Sequence, residues 1–178
     1  EHITSRLNIG NIYVNRNQIG AVVGSQPFGG EGLSGTGPKA GGPKYVSRFK
    51  RFSVTRSELI QGQRVSLAEV QKALDGAEVD INTPLQTIDM PGPTGESNRW
   101  SIVPLGRVLC LGPTRLHALE QAVMVQKMGS AAICVAPHIK PENGVSGFLP
   151  REGLTTLKGL DAVVLWSEVD DLMATRKA

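Results

Sequence analysis

The sequence predicts an α/β chain: a small parallel sheet with helices, preceded by an extension made of a long loop and one strand. Three observations carry this. Arg107-Val-Leu-Cys-Leu111, Ala131-Ala-Ile-Cys-Val-Ala136 and Asp161-Ala-Val-Val-Leu-Trp166 are short, mostly apolar runs, as expected of strands buried on both faces. Between the first two lies a helical stretch from Arg115 to Met128. The order strand–helix–strand predicts parallel strands joined by a right-handed crossover. Upstream, glycine and proline crowd residues 27 to 43, where neither a helix interior nor a central strand can form.

Taken in order, residues 3 to 9 read as the tail of a helix closed by Gly10, and Asn11 to Asn15 as a short strand. Residues 16 to 43 form the loop. From Tyr45 to Thr55, Tyr45, Val46, Phe49 and Val54 are interspersed with charged residues in the manner of an exposed strand. An edge of that kind needs a partner, and self-association through it is expected. Ser66-Leu-Ala-Glu69 is a capping-box sequence, Val70 and Leu74 continue an apolar stripe, and Gly76 is the stop signal. Residues 77 to 99 read as a loop with one short strand at Leu85 to Ile88. On the helix from Arg115, the residues Leu116, Leu119, Ala122 and Val123 are expected on one face, with Gly129 as the terminator. A last helix runs from Glu168 to Lys177. Two or three parallel strands make a thin sheet, so the domain is expected to be incomplete.

Composition narrows the function classes. Of 178 residues, 40% are hydrophobic, enough for a core, while aromatics at 4% make that core aliphatic. The net charge is +3, with both signs mixed along the chain. The densest basic patch, Lys44 to Arg56, has no helix-turn-helix or ribonucleoprotein pattern beside it and reads as a solvated strand face, so no nucleic acid is expected as a partner. No apolar run approaches the ~20 residues of a membrane span. There is no signal peptide or initiator Met, and Glu1-His-Ile-Thr-Ser-Arg6 reads as the middle of a domain, so the chain is expected to be part of a longer protein. Cys110 and Cys134 sit inside strand-like runs, the usual place of reduced, buried thiols in a cytoplasmic protein. Neither has a CxxC partner or an activating base, so no catalytic residue and no metal site is expected. His2, His117 and His138 share no ligand spacing.

The stretch from Pro27 to Pro43 has two physical readings. A flexible linker would be rich in Gly and Ser without a large aromatic. Here Phe28 stands before Gly29-Gly30 and after the apolar Ala21-Val22-Val23, which favours a loop that presents one ring as a site wall. The alternative for Phe28 is a core aromatic beneath the loop. Gly30-Glu-Gly-Leu-Ser-Gly35 matches the dinucleotide fingerprint G-x-G-x-x-G by letter. That mechanism needs a strand before the glycines and a helix after them, and Thr36-Gly37-Pro38 and Gly41-Gly42-Pro43 cannot start a useful helix. The fingerprint reading is rejected.

Val14-Asn-Arg-Asn-Gln-Ile-Gly-Ala-Val-Val-Gly-Ser-Gln-Pro-Phe-Gly-Gly30, continued through Gly41-Gly42-Pro43, resembles the glutamate semialdehyde (pyrroline-5-carboxylate) dehydrogenases of the aldehyde dehydrogenase superfamily. Within them it is similar to the dehydrogenase half of the bifunctional bacterial proline-oxidising enzymes. The match is dense over about the first fifty residues and looser beyond. The resemblance implies substrate-binding roles. Gly20 and Ala21 fall where backbone N–H groups hold the α-carboxylate of glutamate semialdehyde, and Phe28 falls on the aromatic that packs against its aliphatic stem. Ala21 stands where relatives often have Ser, which removes a side-chain hydrogen bond and leaves the backbone ones. The chemistry agrees, since a carboxylate needs N–H donors and a short stem needs an apolar wall. The resemblance also implies that the strand at 45–55 lies in an oligomerisation flap. Residues 1–56 would then be the end of the dehydrogenase domain and residues 57–178 a C-terminal Rossmann-like domain of the same superfamily. A longer parent would use FAD to oxidise proline and NAD to oxidise the semialdehyde. Its nucleophile and cofactor sites would lie upstream, making upstream domains of the same polypeptide the partners, in a cytoplasmic protein with possible peripheral membrane association.

The second domain resembles a cofactor-binding half whose working positions have changed. Ala136-Pro137 stands where the superfamily has Lys before Pro. Trp166-Ser-Glu-Val-Asp-Asp171 has three carboxylates and no glycine where a phosphate would approach, and Pro113 replaces a donor in the first turn. A degenerate domain that binds no cofactor is expected. Pro91-Gly-Pro-Thr-Gly-Glu96 resembles a run in the longer relatives, and its residues suggest no role. The competing reading is a self-contained interaction or oligomerisation module with no catalytic parent.

Overall fold

The computed structural model describes residues 3–7, 9–17, 20–50 and 62–178. They form two compact units, one drawn from Glu1–Phe52 with Gln86–Ile102, the other from Ser53–Leu85 with Val103–Ala178.

In the second unit, four parallel strands lie in the order β5-β4-β3-β6: β3 is Arg107–Cys110, β4 Ala131–Ala136, β5 Gly144–Ser146 and β6 Ala162–Val164. Cys110 pairs with Cys134 on one side of β3 and with Val164 on the other, while Cys134 pairs with Gly144. Side chains alternate across the sheet, as the two-residue period of a strand dictates. Leu109, Leu111, Ile133 and Val135 join Val70 and Leu74 of helix α1 (Leu67–Asp75), together with Leu149 and Leu154. Val108, Cys110, Cys134 and Ala136 join Ala118, Ala122 and Val125 of helix α2 (Arg115–Lys127). Each fully buried Leu in such a layer stabilises the fold by about 1.5–3 kcal/mol. A third helix, α3 (Val169–Lys177), packs beside the 3-10 turn Arg151–Thr156.

The α/β class is as expected, with four strands rather than two or three. β5 escapes a sequence reading because Gly144-Val-Ser146 is too short to show a period. Helix α1 ends at Gly76 as expected, but the capping box does not close. Ser66 makes no side-chain bond to the helix, whose first N–H groups at Glu69 and Val70 reach the Ser66 carbonyl instead. The buried face of α2 is Ala118, Gln121, Ala122 and Val125, whereas Leu116 and Val123 point to solvent. The reason is Gln121. Its side-chain oxygen accepts the Gly112 N–H at 3.0 Å and its amide donates to the Gly112 carbonyl at 2.8 Å, which sets the helix rotation and leaves small residues against the sheet.

In the first unit, strands β1 (Gln86–Met90) and β2 (Asn98–Ile102) pair antiparallel, where one strand was expected inside a loop. Their cross-strand Thr87 and Ser101 hydroxyls are 2.9 Å apart. Three expectations are corrected here. Thr4–Arg6 is a single 3-10 turn rather than a helix tail. Asn11 to Asn15 is not a strand; the chain bends, with Asn15 at φ +55°. The expected flap strand is also absent where it can be seen, because Val46–Phe49 is a 3-10 helix. Arg48 N–H reaches the Tyr45 carbonyl and Tyr45 stacks edge-on against Phe49 at 5.5 Å, so the spacing that resembled alternation joins residues on one side of a turn. Residues 51–55 of that expected strand lie outside the described residues. Among the described residues, no helix is long and apolar enough to cross a membrane.

Candidate functional site

The loop from residue 20 to residue 43 is held by side chains of its own and by Asn11. Phe28 pairs with Ala40 in an isolated antiparallel bridge, N–H to carbonyl at 3.0 Å and 2.8 Å in the two directions. Asn11 clamps the peptides on either side of that residue: its Nδ2 donates to the Pro27 carbonyl at 2.8 Å, and its Oδ1 accepts the Gly29 N–H at 3.0 Å. Lys39 closes the far side, with Nζ donating to the carbonyls of Gly29 and Gly30 at 2.6 Å and 3.0 Å. Burial holds the Lys39 ammonium below its usual pKa, partly opposed by Glu31. The N–H and carbonyl of Phe28 and the peptide groups beside it are thus engaged, while the residue remains 54% exposed. The ring is not a core aromatic in this unit.

Gly20 adopts φ +74°, a conformation that a Cβ would strain, and Ala21 next to it is exposed. The following turn is closed by Gln26: Val22 N–H donates to its Oε1 at 3.1 Å, and Gln26 N–H donates to the Val22 carbonyl at 2.7 Å. Gly20, Ala21 and Phe28 thus lie on one braced loop, with exposed residues at one end and an exposed aromatic residue at the other. Such a loop can offer N–H groups and an apolar wall to a ligand. The bracing residues Asn11, Gln26 and Lys39 were not foreseen. Each is a single polar residue whose partners are carbonyls and amides 9 to 18 positions away, or, for Gln26, four, and nothing in the local sequence marks such pairings. The G-x-G-x-x-G match falls on the three-residue 3-10 turn Gly32–Ser34.

In the second unit, open parallel sheets bind ligands beyond the carboxyl ends of their strands. At that end the turn after β3 is bonded to the protein itself. Gly112, at φ +83°, has its N–H and carbonyl taken by the fully buried Gln121, and its carbonyl also accepts the Trp166 N–H at 3.0 Å. A Cβ at Gly112 would lie 2.7 Å from Thr114 N, so the turn has no slack. Thr114 caps α2 by accepting the His117 N–H at 3.2 Å, and the His117 and Trp166 rings pack edge-on at 5.7 Å over this end. Ala136 is buried against α2, its carbonyl accepting the Gly147 N–H. The Gly112 N–H and carbonyl and the His117 N–H are thus engaged within the protein at this end of α2. The two thiols face α2 in the core. The hydrogen bond between the two thiols, in which Cys110 keeps its proton, and then burial push the Cys110 thiol far up, whereas the same bond draws Cys134 down. Neither is reachable by a substrate.

No family model matches the chain. It is 41% identical over 157 residues to the "Bifunctional protein PutA" of Salmonella typhimurium, covering 74% of this chain and 12% of that protein. It is 35% identical over 178 residues to the protein of the same name from Klebsiella aerogenes, covering 84% and 13%. A stretch of 52 residues is 48% identical to a "1-pyrroline-5-carboxylate dehydrogenase" of Bacillus cereus, covering 29% of this chain and 10% of that one. The chain thus spans about an eighth of the length of the bifunctional relatives it matches.

Proposed function

This chain is a homologue of one segment of the bifunctional PutA proteins of the aldehyde dehydrogenase superfamily, and from that premise we propose that it is the C-terminal portion of a proline-catabolic enzyme. In this reading the parent oxidises proline with FAD and then glutamate semialdehyde to glutamate with NAD, and both cofactors are held by upstream domains of the same polypeptide. Residues 1–56 close the dehydrogenase domain and residues 57–178 form a supporting domain without catalysis, apart from Gln86–Ile102, which belong to the first unit.

The observation that carries this is the braced loop. The backbone N–H groups at Gly20 and Ala21 receive the α-carboxylate of the semialdehyde, and the Phe28 ring packs along its methylene stem. Fixing the loop before the substrate arrives lowers the ordering cost of binding. Losing the ring contact costs part of the roughly 1.5–3 kcal/mol of a buried aromatic. In the full-length polypeptide that contains this chain, Phe28→Ala is therefore expected to raise KM for glutamate semialdehyde about tenfold. An unchanged KM would sink the assignment.

The supporting role of the second unit rests on its self-filled first turn. Calorimetric titration of this chain with NAD at millimolar concentration is expected to give no saturable heat, and saturable binding would make the unit a nucleotide site after all. The chain by itself is expected to form no NADH from the semialdehyde, because its two thiols are core residues. The competing reading, a stand-alone interaction module, loses its edge strand over Val46–Phe49, where the chain is helical.

A further inference from the structure

The connection between β1 and β2 carries Pro91-Gly-Pro-Thr-Gly-Glu96, a run whose residues suggest no role by themselves. Its last residue is tied to the loop described above. Glu96 Oε1 accepts three hydrogen bonds: from Gln26 Nε2 at 2.7 Å, from Asn98 Nδ2 at 2.8 Å and from Arg16 Nη1 at 2.9 Å. Asn98, the first residue of β2, also donates to the Pro91 carbonyl at 3.2 Å, which anchors the acceptor in its own turn. Arg16 and Gln26 bracket Gly20 and Ala21 in sequence, so one carboxylate oxygen gathers the two flanks of the anchor.

We propose that Glu96 is a positioning residue for the aldehyde anchor, acting through Gln26. This rests on the reading of Gly20, Ala21 and Phe28 as the substrate-binding loop. The argument turns on the chemistry of an amide. Gln26 is buried and presents an oxygen at one end and an NH2 group at the other, and nothing in its shape decides which way round it sits. The loop needs the oxygen toward Val22, whose N–H it accepts at 3.1 Å. A carboxylate accepts and cannot donate, so an ionised Glu96 forces the NH2 end toward itself and the oxygen toward Val22. The Asn98 amide, the Arg16 guanidinium and Gln26 hold the Glu96 carboxyl below the usual carboxylate range, so it is ionised at neutral pH. Removal of the carboxylate leaves Gln26 Nε2 without an acceptor and frees the amide to turn over, which releases Val22 two residues after Gly20.

The test uses the full-length polypeptide that contains this chain, with Glu96→Ala, Glu96→Gln and, as a reference for the anchor, Phe28→Ala. Two readouts are taken: KM and kcat for glutamate semialdehyde, and hydrogen exchange of the peptide covering residues 20–28. Glu96→Ala is expected to speed exchange of that peptide at least severalfold and to leave β3 and β4 protected as in the wild type. It is expected to raise KM for the semialdehyde roughly tenfold while kcat moves by less than about twofold, as for a binding loop that loses its charge-assisted support. Propionaldehyde, which has no α-carboxylate, should show a much smaller change in KM. Glu96→Gln restores an acceptor of the same shape and is expected to fall between wild type and Glu96→Ala. If Phe28→Ala raises KM and Glu96→Ala changes neither exchange nor KM, the positioning role is overturned and the anchor stands. If Glu96→Ala speeds exchange but Phe28→Ala and Glu96→Ala both leave KM unchanged, the anchor reading itself fails, and the positioning role fails with it.

Discussion

Gln121→Met removes the two hydrogen bonds that close the first turn after β3 while keeping nearly the same side-chain volume. In the wild type the Gly112 N–H donates to Gln121 Oε1 at 3.0 Å, and Gln121 Nε2 donates to the Gly112 carbonyl at 2.8 Å. After substitution the Gly112 carbonyl keeps the Trp166 N–H at 3.0 Å, but the Gly112 N–H has no acceptor. A buried donor left alone costs about 1–3 kcal/mol, and a volume-conserving apolar replacement adds little. The net loss is therefore about 2 kcal/mol, and on a unit of roughly 100 residues that lowers Tm by about 10 °C. A urea titration followed by far-UV circular dichroism reads this as a midpoint about 1 M lower with an unchanged slope. A midpoint within about 0.3 M of wild type would refute the reasoning. The rotation of α2 would then come from the small residues Ala118 and Ala122 alone.

Two further outcomes concern the same unit. Arg151 and Asp171 form a bidentate pair at 2.7 Å and 2.9 Å, with side chains only 7% and 9% exposed, that ties the segment before α3 to the helix. Burial pushes the Asp171 carboxyl up, but the Arg151 hydrogen bonds and charge outweigh it and hold the pKa below its usual value. The stability this contributes is present above the unfolded carboxylate pKa of about 3.9 and is lost as pH falls through the depressed folded value. Asp171→Asn should cost about 3 kcal/mol at pH 7 and flatten the acid limb of a pH–stability profile, and an unchanged acid limb would contradict the assignment. Cys110 and Cys134 should resist iodoacetamide in the native chain at pH 8 and react fully in urea, as counted by mass spectrometry. Rapid native alkylation of either would mean the α2 face of the sheet is open.

The local rules reached a long way. The three apolar runs became β3, β4 and β6 because continuous apolar sequence has few places to go other than a sheet covered on both faces. Gly76 and Gly129 end helices α1 and α2 where such residues were expected to, the latter at φ +71°. The readings that failed are those where spacing has two meanings. Tyr45 and Phe49 are compatible with a strand edge or with one face of a turn, and backbone bonding from Arg48 to Tyr45 decided for the turn. On α2, the larger side chains Leu116 and Val123 outweighed Ala118 in a count of apolar positions. Close approach of helix to sheet favours the small ones.

Sequence by itself determined the α/β class, the limits of the main helices, the burial of the two cysteines and the family resemblance of the loop around Phe28. These are set by periods, stop signals and side-chain chemistry within a dozen residues of one another. Tertiary structure alone decided which way α2 faces, that its N-terminal turn is occupied by Gln121 and Trp166, and that the loop bearing Gly20, Ala21 and Phe28 is braced by Asn11, Lys39 and Gln26. It also decided that Glu96, 70 residues beyond Gln26, supplies the acceptor for that loop. Hydrogen bonds between single polar side chains and distant backbone leave no periodic trace, because their partners are chosen only when the chain has already folded.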